Sequence, residues 1–433
     1  MPKFVSTTLG CKVNQCESES ISKHLVLSGW LSAEDGTGAD VCIINTCTVT
    51  AKASMQSRQA IRKAIRLNPD AKIIVTGCYA ETESDELKKI NGVHHIIGQK
   101  EKHKILSVAN NCFSDSNPMP CNDELFDENG FMRLPALHSE NRTRAFLKIQ
   151  DGCEAFCTYC IVPYARGKSR SMPFETVIES IKNIKKAGHR EVVLSGIHIG
   201  KYGLDLSPKT SLLSLLKLLD SLNIIDRIRI SSIEPNELVP EIISLAAKSD
   251  IICPHFHIPL QSGDNEILKK MRRPYTREFF KDLILSINNH MPDAAIGADI
   301  LAGFPGETDE AFQNTYSLIN DLPVTYLHVF PFSPRKNTLA ANMAGRVPAD
   351  IVKSRCAILR KLGSLKKAGF YKKVVGTDIN VLIEEKREPQ NNLLKGLSPN
   401  YIPVLINGDD CMKNSIVNVK IQRAYVNYVE GII

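Results

Sequence analysis

Short apolar runs alternate with helix-like segments twice along this chain, and that rhythm limits the folds open to it. Between residues 3 and 110, FVSTTLG, VCIINTC, KIIVTGC and HHIIG read as strands, with helices between them near 14–27, 52–66 and 82–90. Such alternation predicts a small parallel sheet linked by right-handed crossovers. The rhythm returns between about 143 and 334, where RAFLKIQ, EVVLSGIH, RIRISSIE, FHIPL, AIGADILAGFP and YLHVFPFS are separated by helices. Six strand–helix repeats fall short of the eight that close a full barrel, so an open or partial barrel is expected. In both kinds of sheet, chemistry gathers at the carboxyl ends of the strands.

The segments outside these repeats have other characters. Residues 111–142 carry Pro118, Pro120 and Pro135 without periodicity and read as a linker. A basic helix near 349–369 leads into GTDINVLIEE, YIPVLIN and NSIVNVKIQRAYVNYVEGII, a β-rich tail that suits a small closed barrel. Its Tyr371, Tyr401, Tyr425 and Tyr428 are candidates for stacking on bases or for the barrel core. The expected division is 1–110, a linker at 111–142, 143–369 and 370–433, in line with the three or so domains that 433 residues suggest. No apolar run approaches the ~20 residues that span a bilayer, and MPKFVSTTLG has no signal-peptide pattern. A cytoplasmic protein with no membrane contact is expected.

Thirteen cysteines need a reason, because cytosolic thiols rarely form structural disulfides and the count is odd. Cys153, Cys157 and Cys160 follow the first strand of the second repeat region, in IQDGCEAFCTYCIVPYARGKSRS. Three thiolates spaced C-x3-C-x2-C can wrap three corners of an iron–sulfur cluster and leave the fourth iron open. Zinc would need a fourth ligand that no nearby Cys or His supplies, and a redox C-x-x-C pair leaves Cys153 unexplained. Cys11, Cys47 and Cys78 each close an apolar run, so parallel strands would bring all three to one sheet edge. They are either three isolated buried thiols or the ligands of a second open cluster. Cys16, Cys42, Cys112, Cys121, Cys253, Cys356 and Cys411 have no comparable placement.

At these residues the sequence resembles the radical S-adenosylmethionine (SAM) superfamily and, within it, the methylthiotransferases. LGCKVNQ, NTCTVT, TGCYA, DGCEAFCTYCIVPYARGKSRS, SSIEP, HIPLQSGD and GFPGET look like that family's blocks, in its order, across essentially the whole chain. The tail is similar to its RNA-binding TRAM domain. The resemblance implies an α/β fold: an N-terminal small parallel sheet domain, a central partial (β/α)6 radical SAM barrel and a C-terminal TRAM-like β-barrel. It implies two 4Fe-4S clusters. Cys153, Cys157 and Cys160 would hold the one that binds SAM, and Cys11, Cys47 and Cys78 an auxiliary one that carries sulfur. Ser195, Gly196, Glu234, Gln261 and Gly303 fall where SAM should lie, although the glycines also suit turns.

TLGCKVNQ, NTCTVTAKAS and SRQAIRKAIR look most like the branch acting on N6-threonylcarbamoyladenosine at tRNA position 37. The implied partners are a tRNA anticodon stem-loop, an electron donor such as flavodoxin or ferredoxin, and a sulfur donor. Arg58, Arg62 and Arg66 lie in an acid-free run at 51–66, and a second runs through 353–373. Both are either solvated helix faces or contacts for an anionic polymer. The alternatives are the isopentenyladenosine branch, the branch modifying a ribosomal-protein aspartate, and a non-catalytic RNA-binding metalloprotein.

Overall fold

The computed structural model describes residues 1–33, 36–112, 131 and 142–433; most of the linker expected at 111–142 lies outside them. The described residues form two compact units, one gathering 1–112, 147–172 and 333–341, the other 142–146, 173–332 and 342–433.

The first unit opens with β1 (Lys3–Thr8), α1 (Lys12–Leu27), β2 (Leu31–Ser32), β3 (Val41–Thr46) and α2 (Ala51–Leu67). It continues through β4 (Lys72–Gly77), α3 (Cys78–Thr82), α4 (Ser84–Lys88), β5 (His95–Ile97) and α5 (Ile105–Asn111). The strands form one parallel sheet in the order β2-β1-β3-β4-β5. Successive residues of a strand face opposite ways, so the continuous apolar run of β3 feeds two cores. Val41 and Ile43 pack with Ile21 and Leu25 of α1 and Ile105 of α5; Cys42 and Ile44 pack with Ile61 of α2 and Tyr79 of α3. The single helix expected at 82–90 is instead a pair, because Glu83 leaves helical geometry at φ −140°. Thr50 starts α2 by accepting a hydrogen bond from the Ala53 N–H at 3.0 Å.

After β6 (Arg144–Lys148), the short strands β7 (Gln150–Asp151) and β8 (Arg170–Ser171) pair antiparallel at the base of a loop that contains α6 (Val162–Arg166). The second unit then alternates α7 (Phe174–Lys186), β9 (Glu191–Ser195), α8 (Leu212–Leu222), β10 (Arg227–Ile230), α9 (Pro240–Lys248) and β11 (His255–His257). It goes on through α10 (Asn265–Lys270), α11 (Arg277–His290), β12 (Ala295–Ala302), α12 (Asp309–Asp321) and β13 (Tyr326–Pro331). The six long strands form two three-stranded sheets, β10-β9-β6 and β11-β12-β13. Ile228 donates to the Ile251 carbonyl at 2.7 Å, and Cys253 donates to that of Ile228 at 2.9 Å, which stitches the two sheets into one open series. This is the partial barrel that six repeats allow.

α13 (Ala349–Lys373) leads to β14 (Asp378–Arg387), β15 (Leu394–Leu397), β16 (Pro403–Ile406), β17 (Ile416–Ala424) and β18 (Val429–Ile432), closed as β14-β15-β16-β18-β17. Tyr371 is buried with this barrel's core, among Val381, Ile383, Val404 and Val419. Tyr401 stacks on His255 with ring centroids 4.4 Å apart, while Tyr425 and Tyr428 stack on each other nearer the surface. No helix among the described residues is long and apolar enough to cross a membrane.

Arginines at the start of β10 dock this small barrel. Arg227 donates to the carbonyls of Leu397 and Asn380, each at 3.0 Å, and Arg229 to those of Pro399 and Ser398. Arg229 also grips the buried Glu191 through two nitrogens, at 2.8 and 3.2 Å. Burial pushes the Glu191 carboxyl up, but Arg229, helped by Arg144 and Arg227, more than reverses this and leaves it below its ordinary value. Breaking such a pair strands a buried charge, so Arg229→Ala is expected to cost about 3–5 kcal/mol in urea unfolding. In the wild type the pair's contribution is complete above the ordinary carboxylate value of about 4.3 and fades as pH falls through the lower folded value. In Arg229→Ala that dependence should shrink, because Arg227, 4.0 Å away, and Arg144 then offset the burial of the carboxylate less completely.

Candidate functional site

The register of the first sheet sets three cysteines level. Thr8 of β1 lies beside Asn45 of β3, which lies beside Thr76 of β4. Cys47 and Cys78 immediately follow their strands, and Cys11 follows β1 after a turn at Gly10. That turn needs glycine: its φ is +103°, and a Cβ there would lie 2.9 Å from the Cys47 sulfur. Ser57 of α2 holds Cys47 by both backbone groups, accepting from its N–H at 3.1 Å and donating to its carbonyl at 3.0 Å. Arg335 reinforces the same turn by donating to the hydroxyls of Thr48 and Ser54. Burial pushes the Cys47 thiol up to about 11, and raises that of Cys11 although the residue reaches solvent. Arg166 pulls against the shift at both. Cys78 receives a hydrogen bond from the Gln99 amide at 3.5 Å.

The other three cysteines lie on the loop between β7 and α6. Gln150 gathers the loop's base, donating at 2.9 Å to the carbonyls of Asp151 and Gly152 and the Ser169 hydroxyl. Gly152 has φ +78°, and a Cβ on it would fall 1.9 Å from the Lys168 carbonyl oxygen. Cys153 donates its N–H to Gly167 and Cys160 to Cys157, while the Ala155 N–H points to the Cys153 sulfur at 3.5 Å. The loop is thus wound tightly, with the Ala155 N–H turned toward the Cys153 sulfur.

Between the two cysteine sets lies a buried ionic network that reading the sequence did not find. Arg166, at the end of α6, donates to Glu17 of α1 at 2.9 Å and to Asp151 at 2.8 Å. Lys102 donates to Glu17 at 2.6 Å, and Lys148 reaches both Glu17 and Asp151 at 3.3 Å. Burial alone would raise both carboxyls, yet the three cations hold Glu17 well below the usual range, and Arg166 and Lys148 hold Asp151 at about 2. Three cations against two anions leave an excess positive charge beside Cys11 and Cys78. A sequence signal existed: Glu17 lies four residues from Val13 and from Ile21, on the buried face of α1.

Ser195 ends β9 and Gly196 follows it; Ser195 is buried and donates to the Val193 carbonyl. Glu234 follows β10 and pairs with Arg273; burial keeps its carboxyl above the ordinary value despite that cation. Gln261 extends the line of β11 by bridging to Ile300, with φ +68°. Gly303 follows β12 at φ +81°, where a Cβ would meet Val352. All five therefore sit at or beyond the carboxyl ends of strands in the second unit. On α2, Arg62 and Arg66 are exposed, whereas Arg58 donates to the Tyr79 hydroxyl at 2.8 Å.

Residues 3–98 match the family described as Uncharacterized protein family UPF0004, and residues 147–319 match the Radical SAM superfamily. The radical SAM methyltransferase TsrM from Kitasatospora setae, solved with cobalamin and a [4Fe-4S] cluster, shares the fold at TM-score 0.56 and 14% identity, over 76% of this chain and 75% of that one. Fold and site together define a radical SAM enzyme. Threonylcarbamoyladenosine tRNA methylthiotransferase MtaB of Bacillus subtilis (strain 168) is 39% identical over 98% of this chain and 94% of its own length. A tRNA-2-methylthio-N(6)-dimethylallyladenosine synthase of Clostridium botulinum (strain Hall) is 33% identical over 98% and 95%. The chain belongs to the methylthiotransferase family of radical SAM enzymes.

Its cofactors are iron–sulfur clusters and SAM. The residues present fit them: two sets of three soft thiol donors, a glycine that leaves room at the Cys47 sulfur, and N–H groups aimed at Cys78 and Cys153. Gly10→Ala fills that room and strains a left-handed turn, so it is expected to cost about 1–3 kcal/mol in a chemical-denaturation measurement.

Proposed function

We propose that this enzyme methylthiolates C2 of N6-threonylcarbamoyladenosine at position 37 of tRNA. The observation that carries the reading is the presence, in one compact unit, of two three-cysteine sets joined through Arg166. The name borne by the Bacillus subtilis relative supports the substrate.

In this reading Cys153, Cys157 and Cys160 hold one 4Fe-4S cluster and leave its fourth iron for SAM, and Cys11, Cys47 and Cys78 hold the auxiliary cluster. When bound, the clusters and SAM supply the hydrogen-abstracting radical, the sulfur and the methyl group. The chain's own work is to position and shield. Cys47 and Cys11, whose thiols burial raises, must shed protons to become ligands, and Arg166 favours that loss at both. Ser195, Gly196, Gln261 and Gly303 contact SAM, with Glu234 held by Arg273 beside them. Arg62 and Arg66, with Arg58, meet the phosphates of the anticodon stem-loop, and the closed C-terminal barrel serves as a TRAM-like RNA-binding module. A flavodoxin- or ferredoxin-like donor supplies electrons, a separate donor restores sulfur, and the setting is cytoplasmic.

Mass spectrometry of tRNA nucleosides from cells with and without this gene tests the substrate. Loss of the methylthio mark on the threonylcarbamoyl nucleoside is expected; loss of it on the isopentenyl nucleoside instead would move the chain to the branch of the Clostridium relative. Anaerobically reconstituted protein should hold about eight irons per chain. Reversing the charges of Arg62 and Arg66 should weaken tRNA binding and reduce its salt slope by about one for each phosphate no longer neutralised. Unchanged binding would return α2 to an ordinary solvated face.

A further inference from the structure

Gln99 follows β5 and is the first link of a chain of contacts that runs from a cysteine sulfur into the buried network. Its side-chain Nε2 donates to the Cys78 sulfur at 3.5 Å, and its Oε1 accepts from Lys102 Nζ at 2.9 Å. The ammonium can only donate, so the amide has one orientation, with its NH2 toward the sulfur. Two further contacts fix the geometry. The Gln99 backbone N–H donates to Glu81 at 2.8 Å, and Lys102 is itself anchored by the buried Glu17 at 2.6 Å.

We propose that Gln99, held by Lys102, is a positioning residue that tunes the auxiliary cluster through its hydrogen bond to the Cys78 sulfur. The inference rests on the reading of Cys11, Cys47 and Cys78 as that cluster's ligands. A donor aimed at a ligand sulfur draws charge from it and stabilises the more negative, reduced state. Lys102 strengthens the donor, because a cation on the amide oxygen polarises the N–H bonds on the same group. Glu17 completes the relay: the carboxylate that anchors Lys102 also binds Arg166, so the environment of Cys78 and the loop of Cys153, Cys157 and Cys160 share one anchor.

The test uses the full chain with Cys153→Ala, Cys157→Ala and Cys160→Ala, so that one cluster alone is read. This parent should retain about four irons after anaerobic reconstitution. Redox titration followed by electron paramagnetic resonance then compares it with the same chain carrying Gln99→Met or Gln99→Glu. Gln99→Met removes the donor and keeps the bulk; losing one charge-assisted hydrogen bond should lower the one-electron reduction constant about tenfold, about 59 mV. Gln99→Glu also places a carboxylate near the sulfur and should shift the midpoint further in the same direction. Lys102→Gln should give a smaller shift of that sign. Retained iron with an unchanged midpoint in Gln99→Met overturns the relay. A parent that binds no iron overturns the ligand assignment on which the relay stands, and the two failures are read by different measurements.

Discussion

Five ionisable side chains, Glu17, Lys102, Lys148, Asp151 and Arg166, lie almost wholly out of solvent in one connected group. Burying charge costs several kcal/mol per ion, and apolar replacements of like volume often serve stability as well or better. Such a group is therefore weak evidence for stability and better evidence for fixed geometry. Its members come from α1, the segment after β5, the β6–β7 stretch and α6, so four remote parts of the chain are held in one arrangement. The sheet edge of Cys11, Cys47 and Cys78 and the loop of Cys153 to Cys160 both hang from it. A surplus cation beside thiols also favours their anionic form.

What the chain reveals before folding is what local pattern encodes. The parallel order of β1, β3 and β4 follows from apolar runs separated by helices, and the level of their cysteines follows from where those runs end. The partial barrel is legible for the same reason. The network is not, because Arg166 meets Glu17 across 149 residues and Lys102 meets it across 85. Gln99 carries no pattern of its own; its meaning arises only once β4 and β5 lie side by side. In the C-terminal tail, the final run reads as one β-rich stretch but turns at 425–428 into two strands, and β15 is too short and glycine-interrupted to announce itself.

Charge runs were the least legible feature. The acid-free stretch at 353–373 looks uniformly cationic, yet Arg355 is buried against Glu307 and Asp309, Arg360 bonds the Val329 carbonyl, and Lys366 bonds those of Asn320 and Leu322. Long basic side chains can cap carbonyls or pair with acids brought from elsewhere, and one-dimensional spacing cannot separate these from solvated ones. The run on α2 keeps more of its charge outward, with Lys52, Arg62, Lys63 and Arg66 exposed.

The way the small C-terminal barrel is held has a consequence for how its sequence can drift. Arg227 and Arg229 grip main-chain carbonyls at residues 380 and 397–399. Any amino acid presents a carbonyl there, provided the backbone path survives. The partial barrel must therefore keep its two arginines, while the module opposite can exchange surface side chains freely without loosening its seat. The outer surface of this barrel can in this way be rewritten without redesigning the joint that carries it.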